Sequence, residues 1–128
     1  MEKISAALWD IAEPFIDALP ENASDRARRD AVEIAVLVWN ALALLRRGDS
    51  KVWEGFTDYC RGLPKHESAS MALIVAESVR RKNARHADDI RVVQSWKLTI
   101  HHDGTASLHA KASAPPEWVA AQSRRQDG

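Results

Sequence analysis

The stretch IRVVQSWKLTIHHDGTASLHAKASA, residues 90–114, decides the fold. Ile90, Val92, Gln94, Trp96, Leu98 and Ile100 share one parity, while Arg91, Val93, Ser95, Lys97, Thr99 and His101 share the other. That period of two predicts a strand with one face buried. Asp103-Gly104 marks a turn. A two-residue Asp-Gly loop would set Ile100 opposite Ser107 and mix polar with apolar residues on both faces. A three-residue loop, His102-Asp103-Gly104 with the glycine left-handed, instead pairs Ile100 with Ala106, Leu98 with Leu108 and Trp96 with Ala110. Each of these pairs is apolar, so the segment is read as a β-hairpin whose inner face carries Val92, Trp96, Leu98, Ile100 and Leu108.

Upstream of the hairpin the period changes to that of helices. Ile4, Leu8, Ile11, Phe15 and Leu19 keep helical spacing straight through Pro14, which predicts an amphipathic helix ending at Leu19-Pro20 and kinked where proline removes a backbone donor. Ser24 is the expected N-cap of a second helix from Arg26 to Arg47, stopped by Gly48. From Ala31 to Leu45 it is apolar almost all round, so it is expected to be the central element of the core. Ser50 is expected to cap a third helix bearing Val52, Trp53, Phe56, Tyr59 and Cys60 and closed by Gly62 and Pro64. Ser68 or Ser70 is expected to start a fourth with Met71, Leu73, Ile74, Val75 and Val79, polar from Arg80 to Asp89. After the second strand, Pro115-Pro116 forbids further pairing. Glu117 to Gln122 is expected to form one or two helical turns, with Trp118 anchoring the tail to the body or offered to another protein. The whole reads as one α+β domain, residues 1–128: a four-helix N-terminal bundle (1–89), a two-stranded antiparallel β-hairpin packed on it (90–114), and a short C-terminal helical tail (115–128).

The 18 basic residues balance the 18 acidic ones, so no global field draws the chain to nucleic acid or to an anionic membrane. The longest apolar run, Ala31 to Leu45, falls short of the roughly 20 residues a membrane span needs and contains Glu33 and Asn40. Cys60 is alone, which excludes an internal disulfide and a multi-cysteine zinc site and fits a reducing compartment. The N-terminal stretch lacks a secretory apolar region, so a cytoplasmic location is expected. The sequence contains no glycine-rich phosphate loop, no G-x-S-x-G elbow and no H-E-x-x-H pair.

Three constellations remain. On the hairpin, His101-His102-Asp103 with His109 suggests a metal site, but in the chosen register His101 faces Thr105 and His109 faces Lys97, four residues or roughly 13 Å along the strands. They cannot share an ion, and no metal or cofactor is expected. The polar face and edge of the hairpin, with Lys97, Thr99, His101, Thr105, Ser107 and His109, become the candidate interaction surface. Glu33 and Asn40, seven residues apart on one helix face, could line a polar pocket; otherwise Glu33 pairs with Arg29 and Asn40 bonds a helix end or the hairpin backbone. Either way Glu33 is expected to be buried and matched. Arg80, Arg81 and Arg85 could contact phosphate, or simply close a helix C-terminus, where cations meet the dipole favourably. The sequence therefore points to a non-catalytic, cytosolic protein-interaction module, an adaptor, inhibitor or immunity-like factor. It would act through the hairpin on another protein, with homodimerisation through the hairpin edge a further expectation. The alternatives are a small-molecule-binding protein or enzyme built on Glu33 and Asn40, and a nucleic-acid-binding module built on the arginines.

Overall fold

Ser24 opens the longest helix as its side-chain chemistry requires: the hydroxyl accepts the Ala27 amide at 3.1 Å, and Asp25 adds negative charge to the first turn. At the far end Gly48 takes φ +88°, the Asp49 amide reaches the Leu44 carbonyl at 2.9 Å and the Gly48 amide reaches that of Leu45 at 3.0 Å, which is a Schellman closure. In the computed structural model, which describes residues 3–113, this is the second of four helices followed by a hairpin. The order is α1 (Ile4–Asp17), α2 (Asp25–Arg46), α3 (Lys51–Arg61), α4 (Lys65–Arg85), β1 (Val92–Ile100) and β2 (Ala106–Ser113). The helical turns expected at Glu117–Gln122 and the docking of Trp118 lie outside the described residues.

α1 and α2 pack on each other, β2 lies against α1 and β1 against α2, while α4 touches both helices and α3 touches α2. Leu8, Ile11, Val32, Val38 and Trp39 are sealed in the core, and Val93, Leu98 and Leu108 join them from the hairpin. A two-stranded ribbon is marginal alone, so these three side chains fix the hairpin to the bundle. The turn is the expected three-residue one, with Gly104 at φ +87° and the Ile100–Ala106, Leu98–Leu108 and Trp96–Ala110 pairs in place.

The structure departs from the sequence expectations at several places. The alternation breaks at Gln94, where a bulge shifts the register between Val93 and Ser95 and inverts the parity below it. Val93, rather than Val92, is therefore the buried valine, and the strand starts at Val92 without Ile90. α4 begins at Lys65, directly after Pro64, and not at Ser68 or Ser70. Its first turn is exposed and has no apolar stripe to announce it, while the extended Pro64 carbonyl already accepts the Ser68 amide at 2.9 Å. α2 is not buried all round: Leu37 is 45% and Leu45 41% exposed. Finally, α4 is most deeply buried towards its polar half, although Met71, Ile74, Val75 and Val79 also pack on the core. Its buried residues are Ser78 and Lys82, whereas Leu73 in its apolar half is 75% exposed.

Pro14 explains why a polar face docks there. α1 runs through it, but proline has no N–H, so the Asp10 carbonyl one turn earlier loses its helical donor. Arg81 of α4 supplies one, with Nη1 at 3.1 Å from the Asp10 oxygen, and beside it the buried Ser78 hydroxyl donates to the Ile11 carbonyl at 2.8 Å. The break in one helix is thus the docking point of another. A double-mutant cycle tests this: Arg81→Met should destabilise the wild-type chain by about 1–3 kcal/mol in urea unfolding. In a Pro14→Ala background, where residue 14 again donates to Asp10, the loss should shrink by about 1 kcal/mol.

Candidate functional site

The edges of a two-stranded sheet present backbone donors and acceptors with no ladder partner, and side chains from the helices meet several of them here. On β1, the Asn40 carboxamide acts as a one-residue strand. Its Oδ1 accepts the Val93 amide at 2.8 Å and its Nδ2 donates to the Val93 carbonyl at 3.1 Å. Just upstream, Trp39 Nε1 donates to the Arg91 carbonyl at 2.8 Å, and near the tip Arg29 reaches the Leu98 carbonyl at 3.5 Å. On β2, the Ser5 hydroxyl accepts the Ala110 amide at 2.9 Å.

These bonds define which residues face outward. Because Ala110 is bonded to Ser5, the Trp96–Ala110 pair is not a ladder-bonded one, and by alternation Trp96, Leu98, Ile100, Ala106 and Leu108 direct their backbone groups away from the partner strand. Among the described residues no side chain bonds to the backbone of Trp96, Ile100, Ala106 or Leu108. The base of the hairpin is closed by helix side chains, and in its distal half only Arg29, on the Leu98 carbonyl, meets an outward backbone group among the described residues.

The polar face stands clear of the core. Lys97 and His109 are opposite each other and exposed; Thr99 and Ser107 are opposite each other and half-buried; and His101 and Thr105 meet at the tip, where the His101 amide donates to the Thr105 carbonyl at 2.8 Å. His101 Nε2 lies 2.8 Å from the Ser107 hydroxyl. Asp103 accepts both the Thr105 amide at 3.0 Å and its hydroxyl at 2.6 Å, and these bonds hold its carboxyl below the usual range. Its work is to brace the turn. Among the described residues no three histidine, cysteine or carboxylate groups come close enough to hold a metal ion.

Glu33 and Asn40 meet different surroundings. Glu33 is exposed, against the expectation that it is buried, because its face of α2 lies outside the packing of the hairpin and of α1. Asn40 has both ends of its amide committed to Val93. The arginines are committed too. Arg80 forms a two-pronged pair with Glu77 at 2.9 and 2.7 Å, Arg81 spans Glu77 and Asp10, and Arg85 meets Asp10 at 2.5 Å. The Arg80 bonds, helped by those of Arg81, pull the Glu77 carboxyl down to about 2.

Sequence reasoning missed the cluster at the base of the hairpin. Lys82, 2% exposed, donates its ammonium to the carbonyls of His86 at 2.6 Å and Asp89 at 2.8 Å, and lies 4.4 Å from the Trp39 ring centre. His86 Nε2 stands 3.0 Å from the Asp10 carboxylate, and Asp89 is gripped by Arg91 at 2.9 and 2.6 Å. Burial would raise Asp89, but the Arg91 bonds outweigh it and leave the group low. A lysine in the polar end of a helix gives no sign of being internal; the nearest signal is its position seven residues before Asp89 in a segment rich in both charges. Comparison with protein-family models, curated proteins and solved structures found no match for this chain.

Two outcomes follow from these contacts. Asn40→Ala leaves two backbone groups of Val93 unmet, so it should cost about 1–3 kcal/mol in unfolding and speed hydrogen exchange at the Val93 amide. The second is a pH effect. Loss of hydration lowers Lys82 to about 8, against 10.5 for a free lysine, although Asp89 opposes the shift. Below pH 8 both folded and unfolded chains hold the proton, and the fold bears the full cost of burial. Between about 8 and 10.5 the folded chain releases it while the unfolded chain keeps it, so stability should rise with pH by up to about 1.4 kcal/mol per unit. Chemical denaturation at pH 7.5 and 9.5 should show this rise, and Lys82→Met should abolish it.

Proposed function

We propose that this protein is a non-catalytic interaction module that binds another protein by accepting a strand along the Trp96–Ile100 edge of β1. The observation that carries the reading is the uneven treatment of the hairpin edges: Asn40, Trp39 and Ser5 close the base, while the backbone of Trp96 and Ile100 meets no side chain among the described residues and the Leu98 carbonyl between them is reached only by Arg29, at 3.5 Å, which an added strand would displace. An added strand finds main-chain donors and acceptors at alternate residues there, and side-chain positions on the exposed Lys97 face for selectivity. Lys97 itself is the kind of charge that discourages indiscriminate pairing. β2 offers a similar row at Ala106 and Leu108 and, like β1 along α2, has a helix beside it, α1; β1 is favoured because Trp96 and Ile100 are half-buried where Leu108 is buried.

An adaptor or inhibitor in the cytoplasm is the kind of role such a surface serves, and a second copy pairing edge to edge into a four-stranded sheet is its simplest variant. No described helix is long and apolar enough to cross a membrane. The polar-pocket and nucleic-acid readings have weaker support, since Glu33 is exposed and Arg80, Arg81 and Arg85 are each paired.

The ladder parity chooses the test. Thr99 and Ser107 direct their backbone inward, so proline there breaks the hairpin itself; Ile100 and Ala106 direct theirs outward. Ile100→Pro should abolish capture of the partner recovered with the unmodified protein, and Ala106→Pro should leave it intact, with circular dichroism unchanged in both. Trp96 and Leu98 amides should gain exchange protection in the complex. Capture that survives Ile100→Pro refutes the edge. Light scattering at high micromolar concentration separates a homodimer from a foreign strand.

A further inference from the structure

Arg29 and Asn40 fix α2 alongside β1, since Arg29 reaches the Leu98 carbonyl and Asn40 holds both backbone groups of Val93. Eleven residues of helix and five of strand each cover about 16 Å, so the two elements run side by side in opposite directions. Along α2, Glu33 stands about 6 Å beyond Arg29 and Leu37 about 6 Å further, which brings Glu33 level with Trp96 and Leu37 level with the bulge at Gln94. Both lie round the helix from the Arg29–Asn40 line, by about 40° and 80°, on the side away from buried Val32 and Trp39. Leu37 is 45% exposed, and the exposed Glu33 carboxylate has no hydrogen bond or ion pair among the described residues. Arg29, one turn away, gives its guanidinium to the hairpin instead.

A strand added to the β1 edge passes over these two side chains. Its inward residues follow one another at about 6.6 Å, close to the spacing of about 6 Å between Glu33 and Leu37. We infer, on the reading that β1 accepts a strand, that the partner segment carries a cationic residue facing Glu33 and, two residues away, an apolar one facing Leu37. Antiparallel pairing, the commoner kind, runs the added strand in the direction of α2 and places the cation first. The unpaired carboxylate then rejects acidic segments as well as selecting basic ones. A second copy of this chain does not supply the pattern. The hairpin face that holds Trp96, Leu98, Ile100, Ala106 and Leu108 has no cation, and Lys97 and Lys111 stand on the opposite face. The occupant is therefore a foreign strand.

The probe is a library of capped ten-residue peptides in which threonine alternates with lysine, glutamate or valine, selected on the immobilised full-length protein. Peptides with lysine followed two residues later by valine should be enriched. For the best of them, measured by fluorescence polarisation, Glu33→Lys should weaken binding about fivefold, and exchanging the peptide's lysine for glutamate should recover that loss. Leu37→Ser should weaken binding as well. Both sites are exposed, and circular dichroism checks that each variant keeps its fold. Ile100→Pro should abolish binding of every peptide. Binding that Ile100→Pro abolishes but Glu33→Lys leaves unchanged overturns the inference and leaves the edge standing. A library that enriches no lysine–valine pair, while Ile100→Pro still abolishes capture of the native partner, has the same meaning. Peptide binding that survives Ile100→Pro overturns both readings.

Discussion

The Lys82 ammonium sits where α2, the end of α4 and the entry to β1 meet, and it gives up hydration to do so. It is kept there because the last turn of a helix and the bend that follows leave carbonyls short of backbone donors. The Asp89 carbonyl and that of His86, which also accepts the Asp89 amide at 3.1 Å, take the lysine protons, and the Trp39 ring faces the charge. Trp39 then gives its own N–H to the Arg91 carbonyl. The handover from helix to strand is therefore fixed by one residue from α4 and one from α2, before any ladder bond forms.

The same logic recurs at each join. Arg81 and Ser78 answer the carbonyls around Pro14, Asn40 answers both groups of Val93, and Ser5 answers Ala110. Apolar burial holds the layers together, but it is nondirectional; these bonds set the relative position of the elements. Among the described residues no buried side-chain nitrogen or oxygen is left without a partner, as such an arrangement demands.

What was legible in the sequence follows from this division. Periodicity found the four helices and the turn, and the matching of apolar partners across Gly104 found the register, because both are local or pairwise patterns. The bulge at Gln94 was hidden, since Val92 continues the parity of Trp96, Leu98 and Ile100, and only the position of Asn40 selects Val93. Bonding of Asn40 to the hairpin backbone was among the readings the residues allowed. The docked polar half of α4 was not, because Lys82 and Arg81 bind carbonyls of other segments, and a carbonyl deprived of its donor leaves no mark in the sequence except, at Asp10, a proline four residues on.

The bond between Ser5 and Ala110 joins residues 105 apart. On a ribosome adding roughly 5–20 residues per second, α1 emerges seconds before the strand that completes it. During that interval its apolar stripe can rest only on α2, and then on α4 once Ser78 and Arg81 have appeared. The bond can form only after residue 110 has emerged, so synthesis of the second strand sets the earliest moment at which the fold can be complete.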